Sequence, residues 1–217
     1  MNSPTEAKKQ VLLAAKRLDE KGILNAVEGN ISVRLGDLVY ITPSGRNKAF
    51  LTEEEIAVLT MDGEQVGGKY KASSEYKLHL HAYGCRPDVG GIVHAHPPYL
   101  TAHALCGLPV RSDAYPEMLV VYGSIEVAAY GRPGTDDIFR EVGPLLEEED
   151  VLLLENHGAL SVGKTVIDAM NAIEAAEASA RILTLAKQVG IPKSLPKEEQ
   201  EILLQQHLQR RNCCNGK

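Results

Sequence analysis

Residues 91–98, Gly91-Ile92-Val93-His94-Ala95-His96-Pro97-Pro98, form a short apolar run closed by two prolines. A run of this length, with β-branched residues and flanking Gly and Pro, reads as a buried strand that stops where proline can no longer donate to a ladder. Side chains alternate faces along a strand, so His94 and His96 project from one face, near enough to share a metal ion. The competing reading is a pair of core histidines, each needing its own hydrogen-bond partner once buried.

Working outward, Ser73 or Ser74 is placed to cap a helix through Glu75, Leu78 and Ala82, halted near Arg86-Pro87. On the other side a helix through Leu100 and Ala104 ends near Gly107, and residues 118–122 and 125–129 read as strands. Gly131-Arg132-Pro133-Gly134 is a loop, and Thr135-Asp136-Asp137 caps another helix. Residues 151–154 make a strand leading into Asn156-His157-Gly158, and 159–162 return as its neighbour. The longest helical period runs over 166–189, punctuated by Thr165 and Gly190, and a charged, Gln-rich helix around 198–209 is exposed or makes a subunit contact.

Towards the N-terminus, Val11, Leu12, Ala15 and Leu18 mark an amphipathic helix over 4–21 with Gly22 behind it. Residues 31–34 and 38–42 pair across Gly36-Asp37. Thr52 and Glu55 have capping-box spacing just before a strand at 56–60 and an Asp62-Gly63 turn, which predicts one helical turn and then a hairpin. Hairpin-like pairs between helices predict an α/β fold around a mainly antiparallel or mixed sheet, and no phosphate-loop or dinucleotide fingerprint argues for a doubly wound one.

The 217 residues fit one domain, read as 1–192, with a C-terminal helix and tail over 193–217. With 5% aromatics and no Trp, the core has to be built from Val, Leu, Ile and Ala. A net charge of −6 without a basic stripe disfavours nucleic acid, so any anionic ligand must be met locally. No apolar run reaches the roughly 18 residues of a membrane span and no leader h-region opens the chain, so the expected setting is the cytoplasm, away from any membrane. Cys85, Cys106, Cys213 and Cys214 show no paired metal or redox spacing and read as free thiols.

His157 sits between an apolar strand and Gly158, a place for a turn that tightens around a site. As a third imidazole it would leave a zinc ion one open tetrahedral position, the catalytic arrangement. Glu75 follows two serines at a helix start, where it either caps its own helix or faces the metal as a general acid/base or displaceable ligand. Ser73 and Ser74, Thr42-Pro43-Ser44-Gly45 and Gly29-Asn30 each offer hydroxyl, amide or backbone donors; together they suggest a phosphate cradle. His79 and His81 lie two apart on a helix and cannot converge on one ion; they, His103 and His207 read as structural or surface residues, and Arg132 and Asp136 as solvated.

Gly29-Asn30-Ile31-Ser32, Ile41-Thr42-Pro43-Ser44-Gly45, Ser73-Ser74-Glu75, His94-Ala95-His96 and Asn156-His157-Gly158, in this order, resemble the motif series of the class II aldolase/adducin family over about residues 7–190. The resemblance implies a three-layer α/β/α fold in a homotetramer with active sites between neighbouring subunits. It implies Zn²⁺ on His94, His96 and His157, with Mn²⁺, Co²⁺ or Fe²⁺ as alternative ions, and Glu75 as resting ligand and proton shuttle. Asn30, Ser44, Gly45, Ser73 and Ser74 would hold the phosphate of a small sugar phosphate, and Tyr115 matches a tyrosine lent by the adjacent subunit. The implied activity is a lyase cleaving a ketose 1-phosphate reversibly into dihydroxyacetone phosphate and an aldehyde. Alternatives on the same scaffold are a methylthioribulose-1-phosphate dehydratase, a pentulose-phosphate 4-epimerase, or a non-catalytic adducin-head module, the last disfavoured by the intact histidines. Pro97-Pro98 and Asn156 depart from the family aldolase and leave the sugar open.

Overall fold

The computed structural model describes residues 3–132, 135, 137 and 142–215, with side chains through 210. Its centre is an eight-stranded sheet in the order β4-β3-β2-β1-β5-β8-β7-β6. The strands are β1 (Asn30–Leu35), β2 (Leu38–Ile41), β3 (Ala57–Thr60), β4 (Gln65–Gly67), β5 (Gly91–Ala95), β6 (Val127–Ala128), β7 (Val151–Leu154) and β8 (Gly158–Gly163). Every neighbouring pair is antiparallel except β6 and β7. β5 lies between β1 and β8 with all five residues buried, and its register sets His94 opposite Asn30 on one side and Leu160 on the other.

Two apolar layers cover the sheet. Helices α1 (Pro4–Glu20), α3 (Pro98–Leu105) and α6 (Val166–Val189) bury Val11, Leu18, Leu100 and Ile173 against one face. Helices α2 (Tyr76–Cys85) and α5 (Val142–Glu148) bury Leu78, Tyr83 and Leu146 against the other, which makes the three-layer α/β/α arrangement. The ends are written locally: Ser3 Oγ accepts from Glu6 N at the start of α1, and Thr165 and Asp168 form a reciprocal capping box at α6. Each such cap contributes on the order of 1 kcal/mol.

The structure departs from the sequence expectations in four places. Residues 118–122, expected as strand, lie in and just after helix α4 (Pro116–Val121); Pro116 is pre-set for a first helical turn, and Met118 and Leu119 are buried. A five-residue apolar run does not by itself separate strand from buried helix. The strand expected at 125–129 is reduced to β6 and a single bridge between Ile125 and Val110. Glu75, not a serine, occupies the N-cap of α2. The last helix, α7 (Lys197–Asn215), packs on α4, and His207 is buried, its Nδ1 donating to the Val121 carbonyl at 3.1 Å, where an exposed position was expected. The cap expected at 135–137 includes Asp136, which lies outside the described residues; the helix that follows is described from Val142.

Candidate metal centre

The β5 register and the turn between β7 and β8 bring three imidazoles to one point at the sheet end. His94 stands on β5, His96 just past it, and His157 in the turn before β8; the ring centroids are 4.6–5.0 Å apart. One nitrogen from each lies within 4.8 Å of the others. The turn itself is tight: Asn156 adopts a left-handed backbone (φ 56°), which Asn tolerates, and its N–H donates to the Ala104 carbonyl. Gly158 is required there, since a Cβ would come within 2.6 Å of the Ala95 carbonyl oxygen and 2.5 Å of the His96 ring.

The second nitrogens decide the tautomers. His94 Nδ1 is 2.9 Å from the Ala159 carbonyl, which can only accept, so Nδ1 carries the proton. His96 Nδ1 meets the Glu28 carboxylate at 3.2 Å and is protonated for the same reason. With both rings neutral, as metal ligation requires, their Nε2 atoms are bare, and they face each other at 3.2 Å. Two lone pairs at that separation repel unless a cation lies between them, and carboxylate or carbonyl acceptors behind ligating imidazoles are what outer-sphere support of a metal looks like. His157 Nδ1 is buried without a hydrogen-bond partner. The donor set fits a borderline-soft divalent ion with one position left open.

Glu75 completes the ring. Its own helix is not capped by its side chain, and the carboxylate turns inward, 3.2 Å from His157 Nε2 and 3.4 Å from His94 Nε2. Burial alone would raise its pKa, but His94, His157 and the Asn30 amide outweigh this and hold it well below the usual carboxylate range. Burial pushes His94 down to about 4, so that ring is neutral and ligand-competent at pH 7.

The hydroxyl-bearing turns also meet. Ser44 N donates to the Lys71 carbonyl and Ser73 N to the Thr42 carbonyl, so Ser44, Ser73 and Ser74 line one cavity of about 440 Å³ together with Lys71 and Tyr76. Gly45, with φ 64°, turns the chain beside Ser44. Asn30 is buried and donates from Nδ2 to Glu75 Oε2 at 2.8 Å. Tyr115 is half-buried at the N-cap of α4, against the core. Among the other histidines, His103 bonds the Leu108 carbonyl and His81 lies 3.5 Å from Cys85 Sγ. Arg132 is exposed.

Several neighbours of the site were not singled out from sequence. Glu28 backs His96. Lys48, 3% exposed, donates to the Val27 carbonyl and pins the loop bearing Glu28; burial lowers its pKa to about 8 against the pull of Glu75 and Glu28. Glu177 reaches from α6 to accept from Tyr99 N and Leu100 N, each at 2.9 Å, replacing a cap that α3 lacks and fixing the turn after His96. His79, one helical turn beyond Glu75, contacts Asn30; the i, i+4 spacing from Glu75 was the available signal.

Known proteins resemble this chain in sequence and in fold. The sequence model of the class II aldolase and adducin N-terminal domain matches residues 9–184. Over 192 residues the chain is 33% identical to the 5-methylthioribulose-1-phosphate/5-deoxyribulose-1-phosphate aldolase of Rhodospirillum rubrum, covering 88% of this chain and 86% of that one. It is 34% identical over 168 residues to the 3-oxo-tetronate 4-phosphate decarboxylase of Haemophilus influenzae, covering 75% and 80%. A solved L-fuculose 1-phosphate aldolase superposes with a TM-score of 0.85 at 32% identity, over 94% of this chain and 97% of that one.

Proposed function

Since this chain belongs to the class II aldolase and adducin family, whose aldolases are metal-dependent, we propose that it is a zinc-dependent lyase cleaving a ketose 1-phosphate reversibly into dihydroxyacetone phosphate and an aldehyde. The observation that carries this reading is the pair of bare Nε2 atoms of His94 and His96 set against His157 and a buried carboxylate. Such a set has an evident use in chemistry and none in a scaffold.

His94, His96 and His157 would hold the ion, with Glu75 as a displaceable fourth ligand. A bound divalent cation supplies positive charge that draws electrons from the ketose carbonyl and stabilises the electron-rich carbon left when the C3–C4 bond breaks. As that bond breaks the C4 hydroxyl gives up its proton, and Glu75, fixed by Asn30 and screened from bulk water, would carry one proton back to that carbon. Ser44, Gly45, Ser73 and Ser74 would receive the phosphate, joined by the second amide hydrogen of Asn30 Nδ2. The partner subunit's Tyr115 would serve the oxygen that becomes the aldehyde carbonyl. The same reading carries a homotetramer with sites between subunits, a catalytic unit over 1–192 with 193–217 appended, and a cytoplasmic setting; among the described residues no helix is long and apolar enough to cross a membrane.

The relatives named for 5-deoxyribulose 1-phosphate and methylthioribulose 1-phosphate favour a substrate whose far end is apolar, and the two prolines that follow His96 bring no polar side chain to that turn. The test is metal analysis with a coupled assay for dihydroxyacetone phosphate over L-fuculose, 5-deoxyribulose and 5-methylthioribulose 1-phosphates. Release of dihydroxyacetone phosphate from one of them supports the lyase. Conversion to a dehydrated product or a 4-epimer without that release replaces it.

A further inference from the structure

Behind Glu75 runs a buried chain of polar groups of which only Asn30 is assigned a contact with substrate. Glu75 Oε2 accepts from Asn30 Nδ2 at 2.8 Å; Asn30 Oδ1 faces His79 Nε2; His79 Nδ1 is 2.6 Å from Ser32 Oγ; and Ser32 Oγ is 2.8 Å from Tyr83 Oη. Asn30, Ser32, His79 and Tyr83 are each at most 2% exposed. Four linked polar groups buried between a helix and a strand need a reason, since each costs free energy unless fully satisfied.

The protons can be placed one by one. A carboxylate only accepts, so the Asn30 amide must present its NH₂ to Glu75 and its oxygen to His79. That oxygen requires a proton on His79 Nε2, which leaves Nδ1 bare and makes the Ser32 hydroxyl its donor. Ser32 Oγ in turn accepts from the Tyr83 phenol. Every donor in the chain therefore points towards Glu75, and the order holds with Oε2 of Glu75 free to accept, any carboxyl proton being on Oε1, His79 neutral and Tyr83 protonated. The environment supports each state: burial drives His79 down to about 3 and Tyr83 above its ordinary value. His79 thus adopts the tautomer opposite to that of His94, whose Nδ1 carries the proton.

We propose that Asn30 and His79 are positioning residues, and that this one-directional chain from Tyr83 locks Oε2 of Glu75 so that the carboxylate transfers its proton from a single orientation. The inference rests on Glu75 being the proton-transferring group. An amide in the middle of the chain does not pass a proton readily, so the network orients and does not drain the site.

Two measurements test it. In the metal-free wild-type protein, ¹⁵N spectra of the histidine rings should show His79 with its proton on Nε2; a proton on Nδ1 overturns the proposal, whatever reaction the enzyme performs. With zinc bound, His79→Leu should slow solvent exchange of the dihydroxyacetone phosphate C3 hydrogen by about 10- to 100-fold while zinc affinity, measured against a chelator, stays at the wild-type value. His79→Gln, which keeps a donor for Asn30, should recover most of that exchange. Wild-type exchange in His79→Leu, or equal loss in both variants, overturns it. Absence of exchange in the wild-type enzyme, with the Nε2–H tautomer observed, removes the lyase reading and leaves the network standing.

Discussion

His94 Nε2 and His96 Nε2 face each other at 3.2 Å while the opposite nitrogen of each ring is engaged by an acceptor, the Ala159 carbonyl for one and the Glu28 carboxylate for the other. A cation between these two nitrogens would be held by both lone pairs. Adding zinc at about 100 times its dissociation constant should stabilise the fold by about 2.7 kcal/mol. For a chain of this length that is a rise in Tm of roughly 5–10 °C, read by differential scanning fluorimetry. The rise should vanish in His157→Ala.

Glu28 touches the metal site only through His96. Glu28→Ala should weaken zinc binding by about 10- to 100-fold, as loss of an outer-sphere partner does, with little change in Tm of the metal-free protein because Glu28 is half exposed. Isothermal titration against a competing chelator reads the difference.

Glu75→Gln keeps the shape of the side chain and removes its basicity. Turnover should fall by about 10²- to 10⁴-fold with zinc still bound. A variant with full metal content and normal kcat would take Glu75 out of the proton transfer.

Ser74 is exposed beside the cavity that Ser44 and Ser73 line. A hydroxyl hydrogen-bonded to a phosphate is worth about 1.5–3 kcal/mol, so Ser74→Ala should raise KM about 10- to 100-fold and leave kcat nearly unchanged. Inorganic phosphate should lose potency as an inhibitor by the same factor.

The buried histidines give the metal-free fold a pH dependence of definite sign. His79 and His94 have folded pKa values lowered to about 3 and about 4 from 6.5, so below pH 6.5 the unfolded chain binds protons that the folded one refuses. Their contribution is complete above pH 6.5 and is lost as pH falls from there towards 3. Urea melts should show stability dropping over that window, with His79→Gln removing a share on the order of 5 kcal/mol.

Much of this was legible because the decisive residues sit where local rules are strong. The two-residue spacing of His94 and His96 shows on any strand, and Gly158 and Thr165 mark a turn and a helix start whatever the rest of the chain does. Gly29, which the motif shares, could be flagged but not explained: a Cβ there would lie 2.7 Å from the His94 carbonyl oxygen, and its φ of 69° suits glycine. What stayed hidden depends on contacts between distant residues. Glu28 meets His96 across 68 positions and His207 reaches Val121 across 86, and no local period reports either. Residues 118–122 misled because a short apolar run serves strand and buried helix alike, and only packing against α7 selects between them.

X-ray absorption at the zinc edge of the metal-loaded protein tests the metal assignment most directly. One ion per chain, surrounded by three imidazole nitrogens at about 2.0–2.1 Å and one or two oxygens, is the predicted spectrum. A first shell with fewer than three imidazoles at full loading, or no tight binding by the wild-type protein, would contradict it.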